Sequence, residues 1–142
     1  MAMGEAYYFS EQSPSLKRPM KKALQVLIKA QNPYNAWRYS LEPNNDNDSS
    51  ITGWMVFALK TAKESDMKID KGAFDGAENW FKTMTDTNTG RTGYAWGDGG
   101  GGVGSLPSRP AKYMDKFPAN KSDSLSAVAL LSRIFMTDEK KV

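Results

Sequence analysis

The feature that most constrains the fold is an alternation between two kinds of helical segment. Segments 15–31 and 70–84 carry apolar residues on one face and charged residues on the other. Segment 48–64 and a last segment that starts at 122 or 123 are apolar on nearly every side. An apolar helix needs neighbours around it, whereas an amphipathic helix packs on one face. The order predicts an all-α fold of antiparallel helical hairpins, with amphipathic outer helices covering buried inner helices.

Polar residues at the segment starts predict the helix boundaries. The side-chain oxygen of an N-cap residue accepts a hydrogen bond from a first-turn N–H group. Candidates of this kind start three of the segments: Asp48, Ser49 or Ser50, then Asp70, then Ser122 or Asp123. Pro19 is expected in the first turn of its helix or before a later start, because a proline deeper in a helix removes a hydrogen bond.

The alternation includes a weak internal repeat. Residues 50–57 align with residues 124–131, each following an acidic or hydroxyl cap. Aromatic turns at 35–39 and 92–96 follow the two amphipathic segments, and the second turn continues into 97–121, which is rich in Gly and Pro. We expect this last stretch to be a long irregular Gly-rich loop.

These spacings predict a single domain, residues 1–142, with repeat-like units at about 15–66 and 70–137. An apolar inner helix needs a neighbour on each side, so a chain with two hairpins leaves one lateral face of its stack uncovered. The expected partner is the rest of a larger protein or a second copy that associates through the uncovered inner helices.

The first aromatic turn resembles a known family. Residues 31–39, Gln-Asn-Pro-Tyr-Asn-Ala-Trp-Arg-Tyr, look like the Gln-Trp repeat of squalene-hopene and oxidosqualene cyclases, with Asn35 where that repeat usually has Gly. Residues 48–60 and 126–133 are similar to inner-helix starts in bacterial proteins with prenyltransferase and squalene-oxidase repeats. The resemblance implies the α/α toroid of terpenoid cyclases and protein prenyltransferases.

The resemblance covers only part of such a toroid. It extends from about residue 5 to about residue 135, with material for about two hairpins and an extra helix near 6–9. The family's toroid is a closed ring of more hairpins than this. We therefore expect a partial toroid that is a segment of a larger protein.

Two residue types are absent, and their absence excludes much chemistry. The chain has no Cys and no His, so it has no disulfide, no thiolate or imidazole metal ligand and no cysteine nucleophile. Protein prenyltransferase activity needs a zinc ion held by Asp, Cys and His, and two of those ligands are missing. We expect no metal and no cofactor.

The best catalytic candidates lie just before the second helical segment. Asp46-Asn47-Asp48-Ser49-Ser50 resembles the Asp-x-Asp-Asp-Thr motif of cyclases that protonate a polyene, with Ser49 in place of the third carboxylate. The resemblance implies Asp48 as the general acid and Asp46 as its partner, in apolar surroundings that keep the acid protonated. The alternative, which we favour, is that Asp48 is a helix N-cap beside the helix dipole and Asp46 lies in a solvated loop.

Five aromatic residues are candidates for lining a ligand pocket. They are Trp37, Tyr39, Trp54, Tyr94 and Trp96. Such residues could bind a hydrophobic ligand or stabilise a carbocation. Packing within the repeat turns explains them more simply, and we favour packing.

The charge pattern gives little indication of a partner. The net charge is +3 at pH 7, and a basic face on the first segment carries Lys17, Arg18, Lys21, Lys22 and Lys29. Without a recognised nucleic-acid motif we interpret this face as solvated and expect no nucleic acid partner. No apolar stretch approaches the roughly 20 residues of a membrane span and no signal peptide is evident, so localisation is not predicted.

The function expected from the sequence is that of a non-catalytic repeat module in a squalene-cyclase/prenyltransferase-like toroid protein, with a structural or interaction role. The alternative is a segment of a terpenoid (polyene) cyclase with Asp48 as general acid. We do not expect the chain alone to be an enzyme.

Overall fold

Helices account for most of the structure. A computed structural model of the chain describes residues 1–33, 36–44, 47–94 and 123–137. Within these ranges there are five helices: α1 Ala2–Phe9, α2 Pro14–Lys29, α3 Ser49–Glu64, α4 Lys71–Met84 and α5 Asp123–Met136. The predicted all-α class is confirmed. The predicted Gly-rich loop at 97–121 lies outside the described residues.

The N-caps confirm two of the predicted helix starts. Asp48 caps α3, where its side chain accepts from the Ser50 and Ile51 N–H groups, and Asp70 caps α4 by accepting from the Gly72 N–H group. Helix α5 begins at Asp123. The predicted ends of α3 and α4, residues 64 and 84, agree with the structure.

The expectation for Pro19 was wrong. Helix α2 starts at Pro14, so Pro19 lies inside the helix beyond the first turn. A proline here removes the hydrogen bond that its N–H would make to the Ser15 carbonyl. Both residues are exposed to solvent, so water can reach that carbonyl, and the packed face of α2 holds the helix together across the gap.

The helices form antiparallel hairpins in two layers. Helix α3 packs against α1 on one side and α5 on the other, while α2 contacts α1 and α3, and α4 contacts α3 and α5. The Gln12 side-chain amide donates to Asp66 at 2.9 Å, which places the α1–α2 and α3–α4 connections at one end of the stack. The inner helices are therefore α1, α3 and α5, and the outer helices are α2 and α4.

The core lies between the two layers. Its largest fully buried side chains come from the first aromatic turn, from α3 and from α4: Trp37, Val56, Leu59, Phe81 and Met84. The outer face of α2 keeps its basic residues exposed. This division matches the predicted alternation, because α3 is surrounded and α2 is packed on one side.

One hydrogen bond recurs at equivalent positions of the two units that the sequence predicts. The Trp37 N–H donates to the Thr52 hydroxyl at 3.1 Å, and the Thr92 N–H donates to the Ser126 hydroxyl at 3.0 Å. Thr52 and Ser126 are equivalent in the repeat alignment. By this hydrogen bond Trp37 corresponds to Thr92.

Candidate functional site

The first aromatic turn joins the end of α2 to the start of α3. The Trp37 indole N–H donates to the Leu27 carbonyl at 2.8 Å, and the Asp48 N–H donates to the Trp37 carbonyl at 3.1 Å. Trp37 is buried in the core. Its position is that of a packing residue that closes the turn, which matches the interpretation favoured from the sequence.

Asp48 is fully buried and accepts several hydrogen bonds. Its Oδ1 accepts from the Ser50 N–H at 2.7 Å, the Ser50 hydroxyl at 2.6 Å and the Ile51 N–H at 3.1 Å, while its Oδ2 accepts from Arg38 Nη1 at 2.8 Å. All of these groups are donors. The arrangement suits a carboxylate that caps the helix and pairs with a guanidinium group.

Tyr94 completes this polar group from the second aromatic turn. Its side chain shares a hydrogen bond with Asp48. Burial raises the pKa of Tyr94 above its ordinary value of 10.0. The hydrogen bond and the charge of Asp48 raise this pKa further. The Arg38 guanidinium lies 5.6 Å from the Tyr39 ring centre and 5.8 Å from that of Tyr94. We call Arg38, Asp48, Ser50 and Tyr94 the Asp48 cluster.

Ser49 links the same region to the second unit. Its hydroxyl donates to the Gly93 carbonyl at 2.7 Å and accepts from the Trp80 indole N–H at 3.1 Å, while its own N–H donates to the Tyr94 carbonyl at 2.8 Å. Ser49 stands where the cyclase motif has a carboxylate. In this chain it ties the start of α3 to α4 and to the second turn.

An apolar groove runs along the inner helices beside the Asp48 cluster. Its main part has a volume of about 510 Å³ and is lined by α1, α3 and α5, and a second part of about 360 Å³ continues toward the end of α3. Ser50, Gly53, Trp54, Phe57 and Thr61 present one face of α3 to the groove. Trp54 is an exposed aromatic residue in the main part of the groove, 58% accessible to solvent, and the exposed rings of Tyr8 and Phe9 line the second part.

Ser50 belongs to both features. It bonds to Asp48 and it lines the main part of the groove. The groove thus has a polar end at the start of α3 and mainly apolar walls beyond it, with Glu5, Lys60 and Glu64 along its second part. An elongated apolar molecule or segment with one hydrogen-bonding end would match this arrangement.

The structure separates the residues that the sequence grouped as one pocket. Trp54 lies in the groove, Trp37 in the core, and Tyr39 on the surface of its turn with 76% exposure. Tyr94 is brought to Asp48. The remaining two candidates, Asp46 and Trp96, lie outside the described residues.

Arg38 is the residue of this site that sequence reasoning missed. It stands between two aromatic residues in a turn that leads to an acidic N-cap. A cation at such a position is a signal for pairing with the nearby carboxylate and for contact with the rings. The position of Arg38 in the sequence gives this signal, but it does not indicate which carboxylate its guanidinium group pairs with.

In the described part of the chain, no group of three Asp or Glu residues is placed to hold a metal ion. None of the helices in that part is long and apolar enough to cross a membrane. Comparison of the chain with protein-family models, with curated proteins and with solved structures found no match.

Proposed function

We propose that the chain is a non-catalytic repeat module of a squalene-cyclase/prenyltransferase-like toroid protein, with an interaction role. The observation that carries the proposal is the stack of inner helices α1, α3 and α5, backed by α2 and α4 and open along one apolar groove. The recurrence of the turn hydrogen bond in both units supports a repeat.

The surroundings of Asp48 support a non-catalytic role. A general acid that protonates a polyene must be a neutral carboxyl group that gives up its proton to an apolar substrate. Asp48 instead accepts from two backbone N–H groups, from Ser50 and from Arg38. Both of its oxygens are thus engaged as hydrogen-bond acceptors at the start of α3.

The second candidate function is a segment of a polyene cyclase with Asp48 as general acid. It is favoured by the complete burial of Asp48 and by Ser50, which connects its cluster to the groove. Incubation of the chain with squalene, followed by mass spectrometry and chromatography of the lipid extract, separates the two. We expect squalene to be recovered unchanged, and a cyclised product that disappears in Asp48→Asn would support the cyclase instead.

Dye binding tests the interaction role of the groove. We expect 1-anilinonaphthalene-8-sulfonate to bind in the groove, with energy transfer from tryptophan to the dye. Trp54→Glu places a charge against the apolar walls and should weaken dye binding about tenfold, since burying an unpaired charge is unfavourable. Fluorescence titration measures this change.

Tyr39→Glu is the matched control. It introduces the same charge at an exposed aromatic residue in the turn. Its dye affinity should equal that of the unchanged chain. If the chain binds no dye, or if both variants lose affinity equally, the groove is not the interaction surface.

A further inference from the structure

Equivalent positions of the two inner helices differ sharply in exposure. Val56 in α3 is fully buried, whereas Leu130, its equivalent in α5, is 61% exposed. Both are apolar residues in helices of the same kind. The difference arises because, among the described helices, α3 has a neighbour on each side and α5 has α3 and α4 on one side only.

Helix α3 meets its two inner neighbours through different residues of the face that lines the groove. A Cβ atom at Gly53 would collide with the Val128 side chain of α5, and the ring centres of Phe57 and Phe135 are 5.5 Å apart. One turn after Phe57, a Cβ atom at Gly4 of α1 would lie 3.0 Å from Thr61 Cγ2. Gly53 of α3 thus meets Val128 of α5, which is not its equivalent in the repeat alignment, so successive inner helices meet through unlike faces.

The repeat alignment locates the same outgoing face on α5. The equivalents of Gly53 and Phe57 are Ala127 and Leu131, and both are exposed. Leu130 and Ile134 lie beside them on the helix, and Ile134 is 59% exposed. We call Ala127, Leu130, Leu131 and Ile134 the α5 edge. This strip carries no charged residue, and on α3 the equivalent strip is covered by α5.

The opposite end of the stack has a matching surface. Ala2 and Ala6 lie on the side of α1 opposite Gly4 and hence away from α3, and Phe9 lies beside them at the rim of the groove. All three are exposed, and Phe9 is 80% accessible. This α1 edge is also uncharged, and its two alanines allow close approach of another helix.

We propose that the α5 edge of one chain docks on the α1 edge of a second copy, head to tail. We assign a second copy as the partner because its docking would continue the contact between α3 and α5. That contact joins unlike faces of two helices that run in the same direction. A two-fold dimer would join like faces and could not repeat that contact. The inference rests on the proposed repeat module and specifies its partner.

Sedimentation velocity and light scattering over an about hundredfold range of concentration test the association. The unchanged chain should associate as its concentration rises. Ile134→Glu and, separately, Leu130→Glu should weaken association about tenfold or more, because each buries a charge at the contact. A chain that stays monomeric throughout the range overturns the proposal.

Val26→Glu is the matched control. Val26 is a half-exposed aliphatic residue on α2 and belongs to neither edge. This variant should associate like the unchanged chain. Equal weakening by Val26→Glu would show a general charge effect and overturn the edge assignment; circular dichroism confirms that each variant is folded.

The absence of cysteine from the chain allows the orientation to be tested. Phe9→Cys and Ile134→Cys are mixed and treated with a short bis-maleimide. Head-to-tail docking gives a crosslinked dimer in the mixture and little product from either variant alone. Efficient crosslinking of Ile134→Cys to itself, or no crosslink in the mixture, overturns head-to-tail docking.

The two proposals fail in distinguishable ways. A cyclised squalene product, or the absence of dye binding, would contradict the proposed function without changing the association of the edges. A chain that stays monomeric but binds dye through Trp54 would support the proposed function and contradict the proposed docking of a second copy.

Discussion

At the scale of single residues, Asp48 shows how one side chain can serve several structural contacts. It caps α3, pairs with Arg38 and bonds to Tyr94, so the two aromatic turns meet at one carboxylate. Asp70 caps α4 by accepting from the Gly72 N–H group and is exposed to solvent. The pair offers a comparison between a buried and an exposed N-cap in the same chain.

We expect Asp48→Ala to lower the free energy of unfolding by about 3 kcal/mol, because it removes a cap and leaves Arg38 without its carboxylate. Asp70→Ala should cost about 1 kcal/mol, since it removes only a cap. Urea denaturation followed by circular dichroism measures both. Equal losses would mean that Arg38 and Tyr94 add nothing to the stability provided by Asp48.

Tyr94 should make the fold sensitive to alkali. Its pKa is raised in the folded chain above the ordinary value of 10.0 that it regains on unfolding. The folded state holds the phenolic proton more tightly than the unfolded chain, so Tyr94 contributes to the free energy of unfolding. This contribution is fully present below pH 10.0 and is lost as pH rises through the folded pKa. Urea midpoints measured from neutral to alkaline pH should fall more steeply for the unchanged chain than for Tyr94→Phe.

At the scale of elements, the contact between α3 and α5 depends on the lack of a side chain at Gly53. A Cβ atom there would run into Val128 Cγ1. Gly72 in α4 is different, because its added Cβ atom would meet only the Asp70 carboxylate, at 3.4 Å. One glycine permits close packing and the other has room for a methyl group.

Gly53→Ala should therefore lower the free energy of unfolding by about 1–3 kcal/mol through overpacking. Gly72→Ala should raise it by up to about 1 kcal/mol, since Ala favours a helix over Gly. Val128→Ala in the Gly53→Ala background should recover part of the loss, and a double-mutant cycle measures that coupling. Additive effects would mean that the two residues do not meet in solution.

At the scale of the whole molecule, the stack is asymmetric. Helix α3 is surrounded by α1, α2, α4 and α5, whereas α5 is covered by α3 and α4. In a repeat architecture each unit gains stability from its immediate neighbours. The terminal inner helix should therefore open more readily than the central one.

Native-state hydrogen exchange should show this difference. We expect the central amides of α3 to exchange only through global unfolding, and those of α5 to exchange through a local opening that costs at least about 1 kcal/mol less. The comparison is made at low concentration, where association is weakest. Identical protection of the two helices would mean that the units unfold as one.

Much of the fold could be predicted from the sequence because its signals are local. The 3.6-residue periodicity and the caps Asp48 and Asp70 depend on neighbours in the chain, and they located the helices and most of their ends. The position of Pro19 was predicted wrongly because propensity ignores tertiary packing, which holds α2 together across one missing hydrogen bond.

The alternation of amphipathic and apolar helices, with which the sequence analysis began, thus determined the class of fold and the division into outer and inner helices. The tertiary structure decided which side chains meet. Trp37 became core, Trp54 became part of a groove, and Arg38 and Tyr94 converged on Asp48. The physical reason is that helix periodicity specifies which face is apolar, whereas contacts between distant residues depend on how the helices are placed against one another.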